Sequence, residues 1–438
     1  MMLNTNDSPT ALPGTPDERF HPAPLLARLD GFELHGLCRW EARARTCFAL
    51  SNGREYALAV VDTDGAADTD FGAAGIVCDS YGSNVGNGIT PGRRVAVLGD
   101  TLVIGGMTEH APGQYSPAFA CYDAQGHRVT RFNGSGQLVL ADLLAQTKRR
   151  TGAIRFETNL ALCSATGVAV DARFAAPTRQ MQDFNQVNFD MRVANGKLYV
   201  VATGRIADDP RLSGLVVCIT ADGHLDEAFG DHGITALQSS DYSVLLRSIA
   251  LHDNGIYVAG GAAGGSNPAL AARIDYAGVH DQGFGTEGGY ALTRQAFRIN
   301  DVVLDSQGRL FAVGVGSSMR AIAVSFSAEG VQDEAYGYDG AYIPGLDYSS
   351  LTYAAIDEHE RLVFIGDYLE MQSGYLRAMV TRLLPSGTPD ASFGVAGVAR
   401  LGILDAIGAS LLIQPDGKLV ATGYTDRAVY PYAIRLFA

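Results

Sequence analysis

Gly387-Thr-Pro-Asp390-Ala-Ser-Phe393-Gly394-Val-Ala-Gly397 is the last of seven copies of one phrase. The others start at Gly14, Gly65, Gly126, Gly223, Gly278 and Gly330. The starts are separated by 51, 61, 97, 55, 52 and 57 residues. A repeat near 55 residues marks stacked or radial arrays of one supersecondary unit, so it decides the architecture first.

Each position of the phrase has a physical reading. The first glycine permits positive φ at a sharp turn. Three residues on stands Asp17, Asp68, Asp226, Asp281, Asp333 or Asp390, with Val129 in the third copy. A short carboxylate there can accept hydrogen bonds from nearby amides. Six residues on there is always an aromatic: Phe20, Phe71, Phe132, Phe229, Phe284, Tyr336 and Phe393. A large ring at fixed spacing plugs a gap between neighbouring units. A glycine follows in five copies, replaced by His21 and Asn133 in the other two. Asp62-Thr-Asp64-Gly65-Ala-Ala-Asp68-Thr-Asp70 resembles a calcium loop, but the other copies lack its extra carboxylates, so the phrase reads as a structural connector.

Between connectors lies a hairpin pattern, as in Ser248-Ile-Ala-Leu-His-Asp-Asn254-Gly255-Ile-Tyr-Val-Ala-Gly260. Asn-Gly or Asp-Gly between apolar runs is the strongest short hairpin signal. One more apolar strand precedes each later connector, such as Leu215–Thr220, and another follows it. Each unit is therefore predicted to have four strands: a after the connector, b and c in the hairpin, d before the next connector. The fold class predicted is all-β, a seven-bladed propeller of four-stranded antiparallel blades. Residues 1–13 read as a flexible lead-in and 14–438 as one propeller. The chain runs out in a d strand, Tyr432-Ala-Ile-Arg-Leu-Phe437-Ala438, and the connector at Gly14 is expected to dock beside it and close the ring. Arg273, Arg382 and Arg435 share one register on strand d and are expected to pair with connector aspartates.

Ala221-Asp-Gly223-His-Leu-Asp226-Glu-Ala-Phe229-Gly230-Asp-His-Gly233 and the hairpin Gln414-Pro-Asp416-Gly417-Lys-Leu-Val-Ala-Thr-Gly423 resemble the bacterial delta-60 repeat family. The resemblance runs from Gly14 onward apart from one insertion. It implies a β-propeller-like fold and carries no established activity. Departures at His21, Pro24, Val129 and Asn133 put regular packing in question at those two junctions.

Composition bounds the rest. Of 438 residues, 47% are apolar and 52 are glycine, and the net charge is −14. That charge argues against nucleic acid and anionic membranes as partners. The N-terminus has no basic region followed by an apolar run, which predicts no secretory signal peptide and no membrane span. A cytoplasmic location, or export by a route without such a signal, is expected. The six cysteines show no zinc spacing, and Cys38 and Cys47, which a hairpin could place face to face, are expected to be free thiols. No cofactor is expected.

The variable loops mark the working face. The a–b and c–d loops emerge together, opposite the stereotyped b–c turns and connectors. The 97-residue gap holds an insertion, 141–190, between strands a and b of blade three. It carries Lys148, Arg149, Arg150, Arg155 and Phe156. Three a–b loops carry tyrosines, Tyr81, Tyr242 and Tyr348. Long loops on a rigid scaffold commonly carry function. These eight residues are the candidate binding set, for a protein partner or, as an alternative, a glycan. No Gly-x-x-x-x-Gly-Lys-Ser/Thr, Gly-x-Ser-x-Gly or His-Glu-x-x-His occurs, so no catalytic residue is assigned. The reading is a non-catalytic recognition or scaffold module. A hydrolase or lyase site at the channel mouth is the other alternative.

Overall fold

The computed structural model describes residues 12–81, 90–145, 154–156, 189–207, 209–264, 267–316, 319–346 and 348–438. The hairpin phrases form paired strands as expected. At Asn195-Gly196 both residues take positive φ, 52° and 68°, the geometry that matches strand twist. Seven antiparallel blades stand in a ring, a seven-bladed β-propeller. Their innermost strands are Glu33–Trp40, Thr90–Leu98, Phe189–Ala194, Ser243–His252, Phe297–Leu304, Ser349–Ile356 and Ala406–Ile413. Each contacts the next, and the last contacts the first, so the ring is closed.

The blade boundary differs from the sequence reading. Strand a does not begin a new blade. Ile76–Asp79 pairs with Tyr56–Val61, the d strand that precedes its connector, and Ile234–Leu237 pairs with Ser213–Ile219 likewise. A blade therefore runs b, c, d, a from the channel outward, and the connector is the turn of its outer hairpin. The reason is local. The connector Asp amide bonds back to strand d, as Asp226 N does to Cys218 O at 2.9 Å, which reverses the chain onto its own blade. Blade five keeps only a bridge, Ala323 to Tyr342, at its outer edge. The insertion begins after the outer strand of blade two, and its described strand Ile154–Phe156 pairs with the c strand of blade three.

The connector aromatics do lie between blades. Seven large buried clusters occupy the seven junctions, and each holds one of them: Phe20, Phe71, Phe132, Phe229, Phe284, Tyr336 or Phe393. Adjacent connectors are also tied through the backbone. The residue after each aromatic donates its amide to the carbonyl that precedes the next connector's first glycine. The seven bonds are His21 to Asp64, Gly72 to Gln125, Asn133 to Asp222, Gly230 to Ala277, Gly285 to Glu329, Gly337 to Ser386 and Gly394 to Pro13, all between 2.7 and 3.0 Å. His21 and Asn133 keep their places in this belt, so those junctions remain regular. Asn133 takes φ +52°, close to the +53° of Gly72, a conformation that asparagine tolerates better than most residues.

The N-terminal connector completes blade seven. Asp17 N bonds to Arg435 O, and the Arg435 guanidinium lies 2.9 Å from the Asp17 carboxylate with both side chains buried. Helix Ala23–Leu26 and the turn Ala27–Leu29 then place Leu25, Leu26 and Leu29 in the junction between blades seven and one. Arg273 and Arg382 pair with Asp281 and Asp390 in the same way. Arg45 and Lys197, on c strands, serve Asp68 and Asp226. Asp333 caps the amide of Ala335 at 2.9 Å. Cys38 and Cys47 stand opposite each other in the hairpin register and are free thiols.

Candidate functional site

The inner strands build the central channel, and most carry the same irregularity. Register shifts occur at Leu34/Gly36, Thr90/Arg94, Leu246/Ser248, Ile299/Asp301, Leu351/Tyr353 and Gly408/Ser410. The glycine that ends the hairpin phrase makes room for the bulge. A Cβ on Gly260, Gly314, Gly366 or Gly423 would stand 1.7 to 2.0 Å from a carbonyl oxygen of the inner strand. Blade three has Ala202 at that position, and its pairing runs straight. A bulge bends its strand and re-aims a side chain.

The residue after each bulge, with Asp190 from blade three, forms one layer across the channel: Gly36, Arg94, Asp190, Ser248, Asp301, Tyr353 and Ser410. Half of this layer is a buried charge network. Arg94 Nε lies 2.7 Å from Asp190 Oδ1, and Arg192 Nη1 lies 2.7 Å from the same oxygen. Arg192 Nη2 reaches Asp301 Oδ1 at 3.4 Å. Ser248 Oγ stands between the two acids, 3.0 Å from Asp190 and 2.8 Å from Asp301. Backbone amides of Ile249 and Ala354 donate to Asp190 and Asp301. Tyr353 closes the group, with the Arg94 and Arg192 guanidinium carbons 5.4 and 5.8 Å from its ring centre.

The two acids share one hydroxyl. Ser248 Oγ accepts from Val302 N and owns one proton, so it can donate to only one carboxylate. Burial pushes the Asp301 carboxyl up, opposed by Arg192 and assisted by the Asp190 charge. At Asp190 burial works in the same upward direction but is overridden by Arg192 and Arg94, which hold that carboxyl down. Of the two acids, Asp301 is therefore the one that takes up a proton first as pH falls. The network ties blades two to six together.

Nearer the loop face a small cleft of about 30 Å³ is lined by His35, Arg93, Arg94, Thr352, Tyr424 and the backbone at Gly408 and Ala409. Burial pushes the His35 imidazole below its ordinary pKa, with Glu33 opposing and Arg93 and Arg94 adding to the fall.

The sequence candidates are dispersed. Lys148, Arg149 and Arg150 lie outside the described residues. Arg155 is exposed on the strand Ile154–Phe156, which pairs with the c strand of blade three. Phe156 is buried beside Leu140 and Leu144 in the junction core. Tyr81 is buried against Tyr56, with ring centres 4.7 Å apart. Tyr242 is half-buried and packs edge-on against Tyr290. Tyr348 is exposed. It belongs to a group that sequence reading did not assemble.

That group is a set of exposed apolar residues on the loops of blades six and seven, with Ile343 at the end of blade five. Ile343, Tyr348, Met371, Leu404 and Tyr430 are each 38 to 67% exposed. Their loops are cross-tied. Leu369 N donates to Tyr348 O, Asp426 N to Asp405 O, and Arg427 Nη2 to Gly374 O. The Arg427 guanidinium lies 4.5 Å over the Tyr375 ring. Asp405, Arg427 and the Glu370–Arg377 ion pair supply polar neighbours. On the opposite face, Trp40 is buried beneath the Arg43 guanidinium, 4.9 Å away, and offers no open stacking surface.

No family model and no curated protein matches the chain. Among solved structures it is similar to the Dos1 propeller, at 10% identity and TM-score 0.39 over 92% of this chain and 76% of that one. It is also similar to the WD40 domain of Toxoplasma gondii coronin, at 9% identity and TM-score 0.44 over 90% and 79%. Puromycin hydrolase is a third, at 12% and 0.45 over 97% of this chain and 55% of that chain. These likenesses concern architecture only. No helix among the described residues is long and apolar enough to cross a membrane.

Proposed function

We propose that this propeller is a protein-recognition module whose partner rests on the loop face, principally over blades six and seven. The observation that carries the reading is the exposed set of Ile343, Tyr348, Met371, Leu404 and Tyr430, on cross-tied loops with charged neighbours. Large apolar side chains exposed on loops that are tied to one another, with charged neighbours, favour an interaction site. A share for the insertion, and the resemblance to delta-60 repeats, belong to this proposal. The channel supports a catalytic reading less well. Asp190 and Asp301 have no exposed surface, and a cleft of about 30 Å³ is an order of magnitude below the size of a typical substrate pocket.

The test is capture of partners from lysate and medium with three chains. One is intact, one carries Met371→Ser, Leu404→Ser and Tyr430→Ser, and one has residues 145–188 replaced by a Gly/Ser linker. Melting curves confirm that all three fold. The expected result is a partner lost by the triple variant and mapped to blades six and seven by crosslinking. Equal capture by the intact chain and the triple variant overturns the assignment.

A further inference from the structure

The b–c hairpin of blade one carries a pair that no other blade repeats. Two residue pairs in from its turn, Cys38 stands opposite Cys47. The same register holds Ala250 and Tyr257 in blade four, Val302 and Ala312 in blade five, and Leu411 and Ala421 in blade seven. Blades two, three and six have no cysteine there either. Packing at this position therefore does not call for two thiols. The other described cysteines face no second cysteine: Cys78 stands opposite Ala57, Cys121 opposite Val103 and Cys218 opposite Tyr199.

Residues directly opposite in an antiparallel pair project from one face, with Cα atoms about 4.5–5.5 Å apart, inside the span of a disulfide. Cys38 and Cys47 both face the core between blades one and two. Cys47 has no exposed surface, and Cys38 is half-buried at the edge of that core. Opposite Cβ atoms stand about 4.5–5.5 Å apart, against about 3.5–4.5 Å in a relaxed disulfide. A bond here would draw the strands together, and strained disulfides are the readily reduced ones. Burial pushes the Cys47 thiol well above its ordinary pKa, and the neighbouring Cys38 adds to the rise. Cys38, which solvent reaches, is therefore the thiol that an oxidant meets first.

We propose that Cys38 and Cys47 form a reversible redox pair, which a peroxide oxidises to a disulfide that staples the blade-one hairpin. The Cys38 sulfur attacks one oxygen of hydrogen peroxide, the O–O bond breaks, and Cys38 sulfenic acid and water form. The Cys47 sulfur then attacks the Cys38 sulfur. The S–S bond forms, the S–O bond breaks, and the hydroxyl leaves with the Cys47 proton as a second water. Each sulfur loses one electron and the peroxide gains two. Two glutathione thiols reverse the change by exchange and leave as glutathione disulfide. This pair does not depend on the recognition reading above.

The experiment treats the folded full chain with one equivalent of hydrogen peroxide at neutral pH, blocks the remaining thiols with iodoacetamide and maps the tryptic peptides. The expected result is a cross-link between peptides 29–39 and 46–54, with the loss of two alkylated thiols per chain. Reduced glutathione should restore both thiols while the chain stays folded. Trp40, the one tryptophan, faces the same core two residues from Cys38, so quenching of its fluorescence by the new disulfide follows the step in solution. Cys38→Ser and Cys47→Ser should each abolish the cross-link and the quenching. Cys78→Ser, which removes the exposed thiol on the outer strand of the same blade, should change neither. Melting curves establish folding, and the half-buried Cys38 keeps the test in hand where Cys47→Ser does not fold. Full alkylation of Cys38 and Cys47 after peroxide overturns the proposal. So does Cys38 sulfinic acid without the cross-link, or a cross-link that glutathione leaves intact.

Discussion

The amide nitrogen of Gly394 lies 3.0 Å from the carbonyl oxygen of Pro13, and the same bond joins Gly230 to Ala277 and Gly285 to Glu329. The N-terminal segment thus joins the connector of blade six through the contact that every pair of neighbouring connectors makes. The first glycine of each connector sits against this bond. A Cβ on Gly278 would stand 2.5 Å from Gly230 N.

Gly278→Ala therefore meets both an unfavourable φ of +86° and a backbone clash, while Gly417→Ala meets φ +82° in open space. We expect Gly417→Ala to cost about 1 kcal/mol and Gly278→Ala clearly more, because backbone cannot step aside as a flexible side chain can. Paired denaturant titrations of the two variants check the difference.

The Arg435–Asp17 pair carries ring closure and is buried on both sides. Arg435→Met should destabilise by about 3–5 kcal/mol, since it leaves a buried carboxylate with less compensation. Chemical denaturation, and faster amide exchange confined to blade seven, would show it.

Acid should open the same junction. Burial tends to raise the Asp17 pKa, but Arg19, Arg435 and Lys418 outweigh it and hold the group at about 2, below its ordinary 3.8. A depressed carboxylate contributes stability that is complete above the unfolded value and lost as pH falls through the folded one. The contribution is expected to be intact above 3.8 and to vanish toward 2. Asp17→Asn should flatten that part of the stability–pH curve.

In the channel, Asp301→Asn retains a group that can donate to Ser248, whereas Asp190→Asn removes the charge that Arg94 and Arg192 neutralise. The first should cost under about 1.5 kcal/mol and the second about 3–5 kcal/mol. Thermal melts of both variants measure the two costs.

Phe229→Ala should cost about 3–5 kcal/mol by emptying the junction of blades three and four, where the ring packs edge-on against Tyr199. Tyr348→Ser, on the surface, should stay within about 0.5 kcal/mol. Melting of the two variants side by side separates junction from surface.

The connectors made the ring legible because an aromatic at fixed spacing must fill equivalent junctions. They also misplaced the blade boundary. Spacing alone does not reveal that Asp226 N turns back onto Cys218 O. The channel network was illegible for a different reason. Arg94, Asp190 and Asp301 belong to three blades, share no motif, and become one group only when inner strands align. A signal did exist in Phe297-Arg-Ile-Asn-Asp-Val-Val-Leu304, where charge interrupts an apolar strand. Ala202 stands where the hairpins of blades four to seven carry glycine, and its inner strand runs without a register shift. Tyr81 and Tyr348 looked equivalent by loop, yet one ring is buried and the other exposed.

Asp17 and Arg435 are 418 residues apart, yet the cost of bringing distant segments together grows only with the logarithm of their separation. Relative to joining units one repeat apart, the extra entropy is about 2 kcal/mol. That is less than the buried pair and its neighbouring backbone bonds return. Assembly can therefore start in any blade from short-range pairing and spread to its neighbours, leaving one long-range seam to form last.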